Sequence, residues 1–114
     1  MSLQTIFHTA LVDHADHHSA LRESVAKLMA GFGRQYFQDV VKREARPEAL
    51  WAALGEAGFL GVHIPEAYGG GGGGMSEYQI IVEEVAAHGC PLLQLVINSI
   101  CAPIIAAYGS DAMK

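Results

Sequence analysis

Charge is scarce in this chain: Asp, Glu, Lys and Arg make up 17% of its 114 residues, against 51% for apolar types. That balance excludes a disordered chain. Seven basic residues face twelve acidic ones, for a net charge of −5, and no stretch gathers Lys or Arg on one helical face. DNA and RNA are thereby excluded as partners. There are only two cysteines, Cys90 and Cys101, both in apolar surroundings and without a CxxC pair, so they read as buried thiols in a reducing, cytoplasmic setting. The N-terminus lacks the continuous apolar run of a signal peptide. The stretch Cys90 to Ala107 is apolar, but Gln94, Asn98, Ser99 and Pro103 interrupt it and no basic residues flank it. It reads as the central helix of a bundle and not as a membrane span.

What is present is helical period. Leu21, Val25, Leu28, Met29, Phe32 and Tyr36 recur at steps of three and four, predicting one helix that bends where Gly31 and Gly33 weaken it. In "RPEALWAALGEAG", Pro47 opens a second helix, Leu50, Trp51, Leu54 and Ala57 share one side, and Gly58 closes it. "FLGVHIP" is short enough to be a strand or an extended connector. Ser76 and Gln79 predict a capping box for a third helix with Tyr78, Ile81, Val82 and Val85 inward and Glu83 and Glu84 on a solvated face. "PLLQLVINSICAPIIAAYG" predicts a buried helix, kinked or divided at Pro103.

The six glycines Gly69 to Gly74 satisfy GxGxxG through Gly69, Gly71 and Gly74. A dinucleotide site would need flanking parallel strands, and a Walker loop would need Lys where Met75 stands. The run therefore reads as a flexible, lengthened surface turn. His14, His17 and His18, with Asp13 and Asp16, contain a helical His pair but no third ligand at fixed spacing, so residues 1–18 read as a solvated, poorly ordered N-terminal segment. His63 and His88 have no visible acid or nucleophile partner. Cys90, before Pro91, reads as unreactive because its neighbours are apolar.

The segments "RPEALWAALGEAGFLGVHIPEAYGGGGGG", "SEYQIIVEEVAAHGCPL" and "APIIAAYGSDAMK" together resemble the N-terminal helical domain of the acyl-CoA dehydrogenases. The likeness rests on Pro47, the Leu50-Trp51 pair, Gly58, Leu60 and Gly61, then Ile64, Pro65 and Glu66, then Tyr68, Gly69 and Gly70. It continues through Glu83 and Glu84 to Gly109, Ser110, Asp111 and Lys114. Gly71 to Gly74 lengthen the family's Tyr-Gly-Gly turn.

The resemblance implies an all-α helical bundle over residues 19–114, without the β-domain and C-terminal bundle that follow in longer family members. It implies a parent oxidoreductase of fatty acid metabolism that dehydrogenates acyl-CoA at the α,β bond. FAD would take the hydride, electron-transfer flavoprotein would reoxidise it, and the assembly would be a homo-oligomer. A flavin-dependent monooxygenase or oxidase shares the architecture, and a free-standing helical interaction module without flavin is a reading of another class. The family segments that surround flavin and the catalytic glutamate have no counterpart here, so the chain reads as a fragment, inactive alone, with no catalytic, cofactor-binding or metal-binding residue. The helix containing "LLQLVINSI" corresponds to a wall of the acyl pocket, which makes Leu95, Val96, Asn98 and Ser99 the substrate-binding candidates.

Overall fold

A computed structural model describes residues 16–114 as five α-helices and two short 3-10 turns, with no strand among the described residues. The helices are α1 (Asp16–Met29), α2 (Arg34–Lys42), α3 (Glu48–Glu56), α4 (Met75–Ala87) and α5 (Leu93–Tyr108). The 3-10 turns, Phe59–Gly61 and Glu66–Tyr68, connect α3 to the glycine run. The all-α bundle expected from the sequence is the fold observed.

The first predicted helix is two helices, because the glycines break it instead of bending it. Gly31 and Phe32 donate to Leu28 and Met29 in tight 3-10 fashion, which closes α1. Gly33 then caps α2, and its carbonyl accepts from the amide of Phe37. The apolar stripe survives the break: Val25 and Met29 are fully buried, while Phe32 and Tyr36 pack edge to face at 5.0 Å beside them. Tyr36 also accepts from the Leu50 amide through its hydroxyl, tying α2 to the first turn of α3.

The second predicted helix is α3, with Pro47 at its N-cap, Leu50 and Leu54 buried, and Gly58 just beyond its end at φ 82°. Ala57 is exposed, since it lies past the last helical turn. "FLGVHIP" is neither strand nor extended connector: its first three residues curl into a 3-10 turn that packs against α3 and α4. The N-cap of α4 lies two residues before the predicted one. Gly74 is its N-cap, and the Glu77 carboxylate accepts from the Gly74 amide at 2.8 Å, so Ser76 and Gln79 do not form the expected box. Tyr78, Ile80, Ile81 and Val85 are its buried residues, with Val82 half-buried.

α4 is the centre of the bundle, packing along α1 on one side and meeting α5 on another. The core is continuous through Val25, Met29, Leu50, Leu54, Ile81, Val85 and Leu95. After α4 the chain reverses through Gly89, whose φ of 92° favours glycine and where a Cβ would lie 2.7 Å from the Cβ of Arg34. Cys90 then enters the core. α5 runs through Pro103 as one helix, so the proline does not divide it.

Candidate functional site

α5 carries the substrate-binding candidates, and it is built the wrong way round for a buried helix. Leu95 is its one buried residue, although a buried helix was expected from its apolar composition. Asn98, Ser99, Ala102, Pro103 and Ala106, all small or polar, share the half-buried inner side. Leu93, Val96, Ile97, Ile100, Ile104, Ile105 and Tyr108 lie outward, between 39% and 87% exposed. Their spacing of three and four is that of one apolar stripe along a helix. They give the helix an exposed apolar side of its own.

The four candidates divide between the two sides. Leu95 points into the core, where its side chain is 1% exposed. Val96 is on the outward stripe. Leu95 and Val96 both border a shallow recess of about 290 Å³ with Val82, Ala86, Leu92 and Leu93. Ser99 is half-buried and donates its hydroxyl to the carbonyl of Val96 within its own helix, at 2.6 Å. Asn98 belongs to a different group. Its side-chain amide donates to the Leu60 carbonyl at 2.8 Å and to the Tyr78 hydroxyl at 3.1 Å. A second, open cleft of about 650 Å³ between the starts of α3 and α5 is lined by Arg46, Pro47, Trp51 and Gln94, and none of the four candidates reaches it.

Asn98 completes a buried polar cluster that the sequence did not signal. The Tyr78 hydroxyl, receiving from Asn98, donates to the Leu95 carbonyl at 2.7 Å. The His63 ring stacks at a tilt on Tyr78, with centroids 4.1 Å apart, and its Nε2 lies 3.5 Å from the Asn98 carbonyl. Donation from Nε2 leaves Nδ1 as an acceptor, and that atom is buried with no protein partner. Burial pushes the His63 pKa down and the Tyr78 hydroxyl up, against smaller opposing effects from their hydrogen bonds to Asn98. Both groups are held neutral. The available sequence signal was a histidine and a tyrosine at apolar positions, which alone cannot reveal that they meet.

On the far side of α4, charge is placed with equal care. Arg22 of α1 donates to Glu84 at 2.8 Å and to Glu83 at 3.2 Å, so the two glutamates expected on a solvated face are bridged by one guanidinium. Glu84 is the more enclosed, its side chain 16% exposed. Its hydrogen bond is the main reason the Arg22 pKa is raised. His18, expected in a solvated segment, is buried with its ring 3.3 Å from the Glu77 carboxylate. Glu77 is held at a pKa of about 2, first by the Gly74 amide and its own backbone amide and then by His18. The expected boundary between residues 18 and 19 falls inside α1. Residues 1–15, including Asp13 and His14, lie outside the described residues. Among the described residues no three His, Cys, Asp or Glu side chains come together as a metal site.

The glycine run is not a flexible turn. Gly69 and Gly70 donate to Glu66 and Pro65, Gly71 to Gly61, Gly72 to Ile64 and Gly73 to Val62, at 2.8 to 3.1 Å. With Gly74 engaged by Glu77, every amide from Gly69 to Gly74 has a protein acceptor. A phosphate cradle needs free amides, and this loop has none to offer. The described residues therefore do not fit the pyrophosphate of FAD at the glycine loop. Of the cysteines, Cys90 is buried and donates to the Gly33 carbonyl, with its pKa raised mainly by burial. Cys101, expected to be buried, is exposed on α5 because the helix turns that side outward. No helix of the described residues is long and apolar enough to cross a membrane.

The family model described as acyl-CoA dehydrogenase, N-terminal domain, matches residues 15–114. Acyl-CoA dehydrogenase FadE12 of Mycobacterium tuberculosis is 43% identical over 101 residues, 88% of this chain and 26% of that protein. The mitochondrial long-chain specific acyl-CoA dehydrogenase of Sus scrofa is 34% identical over 95 residues, 82% of this chain and 22% of that protein. The chain thus spans about a quarter of the length of these curated relatives. No solved structure matches it.

Proposed function

Because this chain belongs to the acyl-CoA dehydrogenase family, through that family's N-terminal domain, we propose that it serves as the N-terminal helical domain of an FAD-dependent enzyme that oxidises acyl-CoA to the α,β-unsaturated product. The outward stripe of α5 carries the proposal. An acyl chain needs an apolar wall, and Val96, with Ile97 and Ile100 beside it, offers one that the domain does not use for its own core. Ser99 borders that wall, while Leu95 and Asn98 support it from beneath. FAD supplies the hydride acceptor when bound, and in this reading it is held by parts of the enzyme outside the described residues. Electron-transfer flavoprotein as oxidant, a homo-oligomeric assembly and a cytoplasmic location complete the proposal.

The test compares two proteins. The 114-residue chain alone is expected to purify colourless and to leave an artificial electron acceptor unreduced with any acyl-CoA. The full product of the gene is expected to reduce that acceptor with acyl-CoA, and Val96→Trp in it should shift preference toward shorter acyl chains by narrowing the wall. Absence of acyl-CoA oxidation by the flavin-loaded full product would overturn the proposal, as would a stoichiometric flavin on the short chain.

A further inference from the structure

α5 poses a problem that its hydrophobic residues do not solve. Burying Val96, Ile97, Ile100 and Ile104 would remove more apolar surface from water than burying Ala102 and Ala106 does, so the hydrophobic effect alone favours the helix rolled over. Its inner side contributes little apolar bulk beyond Leu95. What the inner side does contribute is polar and directional. Leu95 and Asn98, one helical turn apart, are held through the Tyr78 hydroxyl, the Leu60 carbonyl and the His63 ring.

We propose that Tyr78, Asn98 and His63 act as positioning residues that fix the rotation of α5 about its axis, holding the isoleucine-rich stripe outward against the tendency to bury it. Rolling the helix would carry the Asn98 amide away from Leu60 and leave the Tyr78 hydroxyl buried without its acceptor, and a buried polar group without a partner is strongly disfavoured. The cluster thus acts as a key for one orientation, in the way a single buried polar residue specifies register in a helix pair. The inference does not depend on what meets the stripe, an acyl chain or protein, so it stands or falls separately from the proposed function.

The chain carries its own reporter. Cys101 is exposed on α5 and Cys90 is buried, so wild type should show one fast and one slow thiol toward a soluble disulfide reagent. Modification of each thiol is followed by mass spectrometry, at a protein concentration where sedimentation shows monomer. In Asn98→Leu, and in the double variant Tyr78→Phe/Asn98→Leu, we expect far-ultraviolet circular dichroism to retain the helices. Cys101 should slow by about tenfold or more as it turns inward, with Cys90 remaining slow. Three results would overturn the inference: Cys101 as fast as in wild type in both variants, both thiols fast at native helix content, or loss of helix in both variants. In each case the cluster stabilises the bundle without choosing a face of α5.

Discussion

α1 and α5 both pack against α4, and they do so by opposite rules. α1 buries Val25 and Met29 and seals its edges with charge, Arg22 to Glu83 and Glu84 and His18 to Glu77. α5 buries one leucine over a polar cluster and turns its isoleucines to the outside. The α1 side is closed over by ion pairs, whereas the α5 side leaves an apolar stripe exposed. Stability should therefore depend on the first and contact with other molecules on the second.

Truncations on the two sides put that contrast at risk most directly. Ile81 is fully buried in α4, so Ile81→Ala should cost about 3 kcal/mol or more in urea unfolding, whereas Ile100→Ala should change stability by less than about 0.5 kcal/mol. Ile100→Lys should leave the fold intact and, in sedimentation at matched concentration, shift self-association toward monomer. Equal costs at the two isoleucines would erase the distinction between the faces.

The glycine loop comes next. A Cβ at Gly70 would lie 2.1 Å from the carbonyl oxygen of Ile64, so Gly70→Ala should destabilise by about 1–3 kcal/mol, while Gly58→Ala, strained in φ but unobstructed, should cost less. Thermal unfolding of the two variants ranks them. A smaller effect is expected at Arg22→Met, which leaves Glu84 partly enclosed without its partner, a loss of about 1 kcal/mol that shrinks with added salt.

Acid should weaken both sides, over different ranges. Glu77 is depressed to about 2 from 4.5, so its contribution is complete above pH 4.5 and is lost as pH falls from there toward 2. His63 is depressed below 6.5, so the unfolded chain takes up its proton first, and stability declines as pH falls from 6.5 toward the lower folded value. His63→Phe should flatten the upper range and Glu77→Gln the lower one. Denaturant titrations at several pH values read both. A His63→Phe variant with the wild-type slope between pH 6.5 and 5 would mean that another group supplies it.

α3 and α4 were legible in the sequence because local chemistry and tertiary packing agree there: Pro47 opens, Gly58 follows the close, and Leu50, Leu54, Tyr78, Ile81 and Val85 fall on the buried side. α5 was legible as a helix from its composition, and as a wall open to contact only through the family likeness. Period identifies which residues share a face, and here both faces carry apolar residues, so which side turns inward depends on Tyr78 and Leu60, distant in sequence. The candidate site was legible to the same degree. The helix that bears Leu95, Val96, Asn98 and Ser99 was identified from family likeness, yet those residues diverge in direction once α5 is seated. The break at Gly31 and Gly33 was underestimated because two weak positions, close together, end a helix that one would only loosen.

Composition had made the glycine run look like the loosest part of the chain. Its amides instead face a matching row of carbonyls from Gly61 to Glu66, so the segment is zipped to the turn before it without forming a strand. The consequence is kinetic. Amide protons of Gly71, Gly72 and Gly73 should exchange with solvent only when the loop opens as a unit, and a protease that cuts unstructured glycine-rich linkers should find no extended backbone to grip there.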